Sequence, residues 1–521
     1  MSASYPLPHR SDSGGGQLNP LRFPAEVATS QSGRSLRWLT DDLLFYHQRC
    51  NRRTYLDLYG NPRHKDPPSD YLQKLRQDSS EHRRTVMQDY DPCHAVYPKG
   101  DWAAGAKATQ LLMEAGVDAI ANAVVITEAA SGDVQLVSRP DLLVKLPGWS
   151  RWGDWVYAPI DIKLGKKPKL DYQVVAAFHA YVLSRSQWSW PPETWLALRD
   201  GRQYSVDMER QLPKLQETLN GCLRDLQGAT PPEPFIAHSR CDLCHWFSHC
   251  YGQAQETQHL SLLPGVTPAR YRFLQEVRLT TVEALAQVDP KYLAPMPGFG
   301  EPVAAKLIHQ ARAMLGNCAI PRHHSEGFPL SPKDLPCSDV ELYFDIEAAP
   351  DQDLIYLHGV LVVDYREQTE NFHALVAETP EKERHAWESF LELVHQYPNA
   401  PIYHFCPYEA QTVRKLGDLY GADEAVIDPL LQRFYDIHKS VVDSVTLPIE
   451  SYALKHIARW IGFDWRDEGA NGAQSICWYN AWLDTCDRTY LNAILRYNED
   501  DCRATYRIKD WLVKFAQPFW K

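Results

Sequence analysis

Asp141 in RPDLLVKL, and Asp161 and Lys163 in the triplet DIK, are the first residues whose types and spacing suit chemistry. Residues two apart on a strand project to the same face, so Asp161 and Lys163 point together while Ile162 packs behind them. A divalent cation, Mg2+ or Mn2+, between Asp141, Asp161 and the Ile162 carbonyl would polarise a phosphate and acidify a water. The Lys163 ammonium would orient that water and stabilise the pentavalent charge. D-x-K alone is a frequent chance pattern and often an exposed ion pair. Here an aspartate precedes it, a helix pattern follows it and cysteines bracket it.

Those cysteines are Cys50, far upstream, and Cys241, Cys244 and Cys250 in CDLCHWFSHC. A C-x2-C-x5-C run with one remote thiolate can close a tetrahedral metal or iron-sulfur site and staple the two ends of a domain together. Zinc held by four thiolates commonly uses two knuckle pairs, so this spacing favours a structural 4Fe-4S cluster, with zinc as the alternative.

A second acidic set lies near the carboxy terminus. Asp345 and Glu347 in ELYFDIEAAP share a strand face, and Asp501 in YNEDDCRAT follows Tyr497 by one helical turn. Three acids and a tyrosine can therefore converge, with Glu499 and Asp500 facing away. The bland alternative is that these acids decorate a solvated strand and helix.

The elements that must position these residues form an α/β multidomain pattern. In residues 36–257, strand-like AVVIT (123–127), LLVKL (142–146) and WVYAPIDIKL (155–164) are expected to make one small sheet, followed by a packed helix in YQVVAAFHAYVL (172–183). Residues 258–320 repeat a Pro-Gly turn before a helix, in LLPGVTPARYRFLQEV and PMPGFGEPVAAKLIHQARAML. That resembles a helix-hairpin-helix connector, in which Gly265, Gly298 and Gly300 let backbone N–H groups approach a phosphate; a plain helical connection is the alternative. Residues 321–337 read as a linker, and 338–521 as an α/β layer with strands at 341–350, 354–365 and 400–405. The Ser/Gly-rich residues 1–35 read as a disordered tail.

A hydrophobic fraction of 44% supports folded domains, and the net charge of −12 argues against a uniformly basic surface. Local basic runs matter more: Arg49, Arg52 and Arg53 flank Cys50, and Lys163, Lys166, Lys167 and Lys169 cluster at the DIK triplet. Scattered cysteines and the lack of a long apolar run predict a reducing, cytoplasmic setting without a membrane. No Walker-type loop is visible, so any helicase motor would be a separate partner.

Together RPD, DIK, the helix after them and the four cysteines resemble the iron-sulfur branch of the RecB-type PD-(D/E)xK nucleases, over roughly 36–257. The resemblance implies a restriction-endonuclease-like fold, makes His82 in SSEHRRTV a further metal ligand and gives Gln173 a substrate contact. The carboxy-terminal pattern resembles the DnaQ-like exonucleases of the RNase H-like fold, which use four carboxylates for two metals. By that likeness Tyr497 positions the water and Glu409 in HFCPYE is the fourth carboxylate, with Asp436 in FYDIHKSV as the alternative. SYALKHIARWIGF before YNEDDC further resembles RNase H-like domains found beside RecB-type nucleases. The expectation is a metal-dependent DNA nuclease, an exonuclease on single-stranded or end-bearing DNA acting in repair or processing. A non-catalytic or single-site nucleic-acid-binding scaffold and an RNA-processing exonuclease are the alternatives. Trp149, Trp152 and Trp155 are expected to offer stacking surfaces near the first site, or else to be buried.

Overall fold

The computed structural model describes residues 38–130, 132–322 and 327–520, so the tail expected over 1–35 lies outside the described residues. Two units result, Met1–Tyr251 and Gly252–Lys521.

The first unit is organised by a long hairpin. Strand Leu142–Ser150 pairs antiparallel with Gly153–Lys163, from Leu142 opposite Ile160 to Ser150 opposite Gly153. Four short strands extend it to six in the order Cys93–His94, Ala119–Ala121, Leu142–Ser150, Gly153–Lys163, Trp195–Leu198, Gln203–Ser205. Helix Leu170–Gln187 is buried at every position from Val174 to Leu183. A helix apolar all round must be covered on all sides. The hairpin covers one side, and a second sheet of Trp38–Thr40, Gln135–Ser138 and Val125–Glu128 covers another. The AVVIT segment belongs to this second sheet and not to that of the DIK strand, which corrects the single-sheet expectation. Its inward residues Val125 and Leu136 pack into the same core as Val174 and Phe178, so their apolar character is explained by a sheet that spacing alone does not distinguish.

The second unit contains the connector helices Pro268–Glu276, Val282–Gln287, Pro290–Leu293 and Gly300–Gly316, the first three capped by Thr267, Thr281 and Asp289. Gln310 on the last of them donates through Nε2 to Leu447 O at 2.7 Å, joining these helices to the α/β layer. Residues 321–337, expected as a linker, contribute Leu330 and Leu335 to the core of that layer. Ile320–Pro321 also pairs with Val445–Thr446.

Five strands form the α/β layer, in the order Thr369–Val376, Leu354–Asp364, Val340–Ala349, Ile402–His404, Phe434–Asp436. The first three are antiparallel and the last two join in parallel. Strand alternation sends Leu342, Phe344 and Ile346 into a core with Trp387, Phe390 and Leu416. Tyr343 packs on the other face with Tyr497, Cys502 and Tyr506 of helix Arg488–Ala516. Helices on both faces make a three-layer domain.

Candidate metal and active sites

The same alternation that buries Phe344 turns Asp345 and Glu347 toward helix Arg488–Ala516, where Asp501 waits one turn after Tyr497. One carboxylate oxygen from each of Asp345, Glu347 and Asp501 lies within 4.8 Å of the others, the only such group among the described residues. Burial, then the charges of Asp501, Glu347 and Glu409, push the Asp345 carboxyl well above its ordinary value. Burial and Asp501 push Glu347 up to about 8. Burial pushes Asp501 up to about 7, against hydrogen bonds from Trp465 and Tyr497. Clustered, desolvated, all-oxygen donors fit a hard divalent cation such as Mg2+ or Mn2+, whose charge removes the repulsion that otherwise protonates them.

Glu409 adds a fourth carboxylate. It is buried and its charge is felt at Asp345. His404 Nδ1 stands 3.5 Å from Glu409 Oε2 but only 2.6 Å from Cys406 O, so the ring N–H goes to the carbonyl and leaves Oε2 without a bonded partner. Asp436, the alternative, is engaged elsewhere: its Oδ1 accepts from Cys406 N and from Lys439 N, both at 3.1 Å, capping helix Ile437–Ser444. Glu499 and Asp500 turn away from the cluster, each paired with Arg466 at 2.8 Å.

Four supporting residues were given no role by the sequence, although Asn498 and Lys455 lie inside stretches singled out there. Asn498 donates through Nδ2 to Asp345 Oδ2 at 2.7 Å. Gly359 sits opposite Asp345 in the neighbouring strand, and a Cβ there would lie 1.6 Å from Asn498 Oδ1. Trp465 donates through Nε1 to Asp501 Oδ1 at 2.7 Å. Lys455 places its ammonium 5.0 Å from the Trp465 ring centre and 5.1 Å from that of Tyr497. Only the strand register and the tertiary path reveal them.

In the first unit, Asp141 precedes strand Leu142–Ser150, and Asp161 and Lys163 end the strand paired with it. Lys163 Nζ is 2.8 Å from Asp161 Oδ2. Burial opposes the Lys163 charge, but Asp161 and Asp141 outweigh it and hold its pKa up. Asp141 Oδ2 accepts from Ile162 N at 2.7 Å, while Oδ1 meets Arg83 Nε at 2.6 Å. Burial and Asp161 nonetheless raise the Asp141 carboxyl. His82, on helix Asp70–Gln88, has an Nε2 buried without a partner; burial, then Arg199 and Arg83, hold its pKa down, so the ring stays neutral. The orphaned His82 Nε2 could still take a cation, but both Asp141 oxygens are engaged, and His82, Asp141 and Asp161 do not bring ligand atoms within 4.8 Å of one another. His179, missed in the sequence, has Nε2 3.8 Å from Asp161 Oδ1 and Nδ1 2.7 Å from Ser138 Oγ. Gln173 is committed within the unit, donating to Pro168 O at 2.7 Å and accepting from Gln211 Nε2 at 2.9 Å.

Cys50 lies at the break between helices Asp41–Arg49 and Asn51–Tyr59. Burial raises the thiols of Cys241, Cys244 and Cys250, and the charge of Cys50 raises each further, so the four sulfurs share one neighbourhood. Arg53 N donates to Cys50 Sγ at 3.4 Å and Ala237 N to Cys241 Sγ at 3.5 Å. Asp57 ties the segments together, accepting from Trp246 Nε1 at 2.9 Å and meeting His245 Nε2 at 2.6 Å. No three of these sulfurs come within 4.8 Å of one another, so as they stand they do not outline a single-metal site.

In the connector, Gly265, Gly298 and Gly300 have φ of 94°, 81° and 68°, which side chains rarely adopt. Arg270 bridges the two turns, donating to Gly298 O at 2.8 Å and Gly265 O at 2.7 Å.

Residues 342–513 match the family model of the RNase_H superfamily. That stretch holds the Asp345, Glu347 and Asp501 cluster, so this part of the chain is an RNase H-like domain with an acidic triad that could bind a metal. No curated protein matches the chain. A solved structure titled "Crystal structure of SSO0001" is 13% identical with a TM-score of 0.21, covering 42% of this chain and 86% of that one. A likeness at that level carries no inference about activity. No described helix is long and apolar enough to cross a membrane.

Proposed function

We propose that this protein is a metal-dependent DNA nuclease, an exonuclease on single-stranded or end-bearing DNA in repair or processing. The reading joins a RecB-like PD-(D/E)xK domain with a 4Fe-4S cluster, a helix-hairpin-helix connector and a DEDD-type exonuclease domain. The observation that carries it is the buried cluster of Asp345, Glu347 and Asp501 with Glu409 beside it.

Asp345, Glu347, Asp501 and Glu409 would hold Mg2+ or Mn2+, which supplies an acidified water and charge for the leaving oxygen. The protein's own groups do the rest. Burial and three nearby carboxylates keep the Tyr497 phenol protonated, with its O–H given to Asp501, so its oxygen would accept from the attacking water and fix its direction. The Lys455 ammonium faces developing phosphate charge. Asn498 holds Asp345 in one rotamer, so attack geometry needs no rearrangement.

At the amino-terminal centre, Asp141, Asp161 and His82 would hold the cation, Lys163 would orient the water, and the four cysteines would hold the cluster. The turns at Gly265, Gly298 and Gly300 would receive backbone phosphates, and a helicase would be a separate partner. One observation favours a single-site reading: Arg83 lies on Asp141 Oδ1, in the position of a competing cation. Preference for ribose would instead favour RNA processing.

Cleavage of end-labelled single-stranded and duplex DNA by Lys163→Ala and by Asp345→Asn separates these readings. A partial fall in each variant supports two centres, and a fall only in Asp345→Asn supports one. Unchanged cleavage in the double variant rejects the enzyme.

A further inference from the structure

The far end of the amino-terminal hairpin carries an aromatic and basic surface that neither carboxylate set uses. Ser150 pairs with Gly153 while Leu142 pairs with Ile160, so the tryptophans expected near Asp161 lie at the opposite end. At ~3.3 Å per residue, that is roughly 25 Å along the strand. Trp152 and Trp155 pack on the core there, and Trp155 Nε1 donates to Met113 O at 3.1 Å. Trp149 and Trp188 do not: their side chains are 64% and 68% exposed.

Trp188 caps helix Leu170–Gln187 in the left-handed region, with φ 62° and ψ 19°. Glycine is the usual residue there, and a bulky aromatic is strained. A largely exposed side chain in this conformation adds little to the core that glycine would lose. Around it, Arg151 sets its guanidinium 4.7 Å from the Trp152 ring and 5.8 Å from the Trp188 ring. A groove of about 470 Å³ runs beside it, lined by Tyr181, Ser184, Arg185, Trp188, Ser189 and Trp190. Neither Arg151 nor Arg185 has an ion-pair partner among the described residues.

The surface is rigidly built. Gln187, fully buried, donates to Tyr157 O at 3.1 Å and Ser189 O at 2.9 Å, and accepts from Tyr157 N at 2.9 Å. Arg151 N donates to Gln187 O at 3.1 Å, fixing the hairpin tip to the helix end.

We propose that this surface is a second contact for single-stranded nucleic acid, remote from Asp141 and Asp161. An unpaired base stacks on Trp188, and Arg151 and Arg185 take the flanking phosphates. Uncompensated guanidinium charge beside an open indole face matches a polyanion with exposed bases. At ~3.4 Å per stacked nucleotide, a strand of roughly seven nucleotides spans the distance to the carboxylates. The inference rests on the nucleic-acid part of the proposed function and adds where the strand is held.

The test measures binding of a fluorescein-labelled twenty-nucleotide oligothymidylate to the full chain in chelator, which prevents cleavage. Trp188→Gly removes the ring where glycine suits the backbone, so it is expected to keep or raise the melting temperature while weakening binding about tenfold. Trp188→Phe should retain most of the affinity, and Arg151→Ala with Arg185→Ala should flatten the salt dependence. Equal affinity of wild type and Trp188→Gly, or no binding by wild type, overturns the proposal. Trp188-dependent binding with no metal-dependent cleavage would leave this contact standing and reject the nuclease reading. A protein partner in place of DNA would appear as oligonucleotide binding indifferent to Trp188, and counts against it.

Discussion

Asp345, Glu347 and Asp501 repel one another where water barely reaches, and that repulsion makes the site measurable without turnover. Glu347 and Asp501 titrate near 8 and 7 in the folded chain, well above free carboxylates. A raised acid pKa stabilises the fold fully below the unfolded value and loses that contribution as pH rises through the folded value. The metal-free protein should therefore melt at a lower temperature at pH 8 than at pH 5, and added Mn2+ should restore more stability at pH 8. Scanning fluorimetry across pH with and without Mn2+ checks this; a metal effect independent of pH would contradict it. Asp345→Asn should raise the metal-free melting temperature at pH 8 while shrinking the Mn2+ shift. The three acids were legible because D-x-E on a strand and a YNEDD helix each fix relative position over a few residues. Asn498, although within that motif, has no readable role until its partner strand is known.

At the scale of elements, the decisive fact is the pairing of Asp345 with Gly359. The glycine leaves room for Asn498 to reach across the sheet, and a methyl group would displace it. Gly359→Ala should cost about 1 to 3 kcal/mol in stability, as overpacking does, and lower cleavage. Adding Asn498→Ala should recover the stability but not the activity, read by denaturant unfolding and by a cleavage assay. The strands with apolar runs, near 341–350 and 354–365, were legible. Strand Thr369–Val376 was not, because this edge strand is largely polar and half-exposed, and Phe434–Asp436 is too short to show a period. AVVIT read correctly as extended, yet its sheet was misassigned because alternation says nothing about which neighbour a strand takes.

For the whole molecule, net charge misleads: the −12 includes buried carboxylates that a bound cation would neutralise, while Arg53 and other basic side chains stand at the proposed cofactor sites. The proposed cluster would staple the ends of the amino-terminal unit. Protein purified without oxygen should then absorb near ~400 nm, and Cys50→Ser should abolish the absorbance and lower the melting temperature of that unit. Colourless protein with stoichiometric zinc would contradict the cluster. The cysteines were read only as a set from their spacing, and the bonds from Asp57 to Trp246 and His245, beside Cys244, follow no motif. The most direct test of the central claim is Mn2+-dependent hydrolysis of end-labelled single-stranded DNA by the Lys163→Ala chain, with and without Asp345→Asn. Lys163→Ala alone should retain cleavage, and adding Asp345→Asn should reduce it at least about a hundredfold. Equal rates in the two proteins would show that the carboxyl-terminal carboxylates do not cut phosphodiesters.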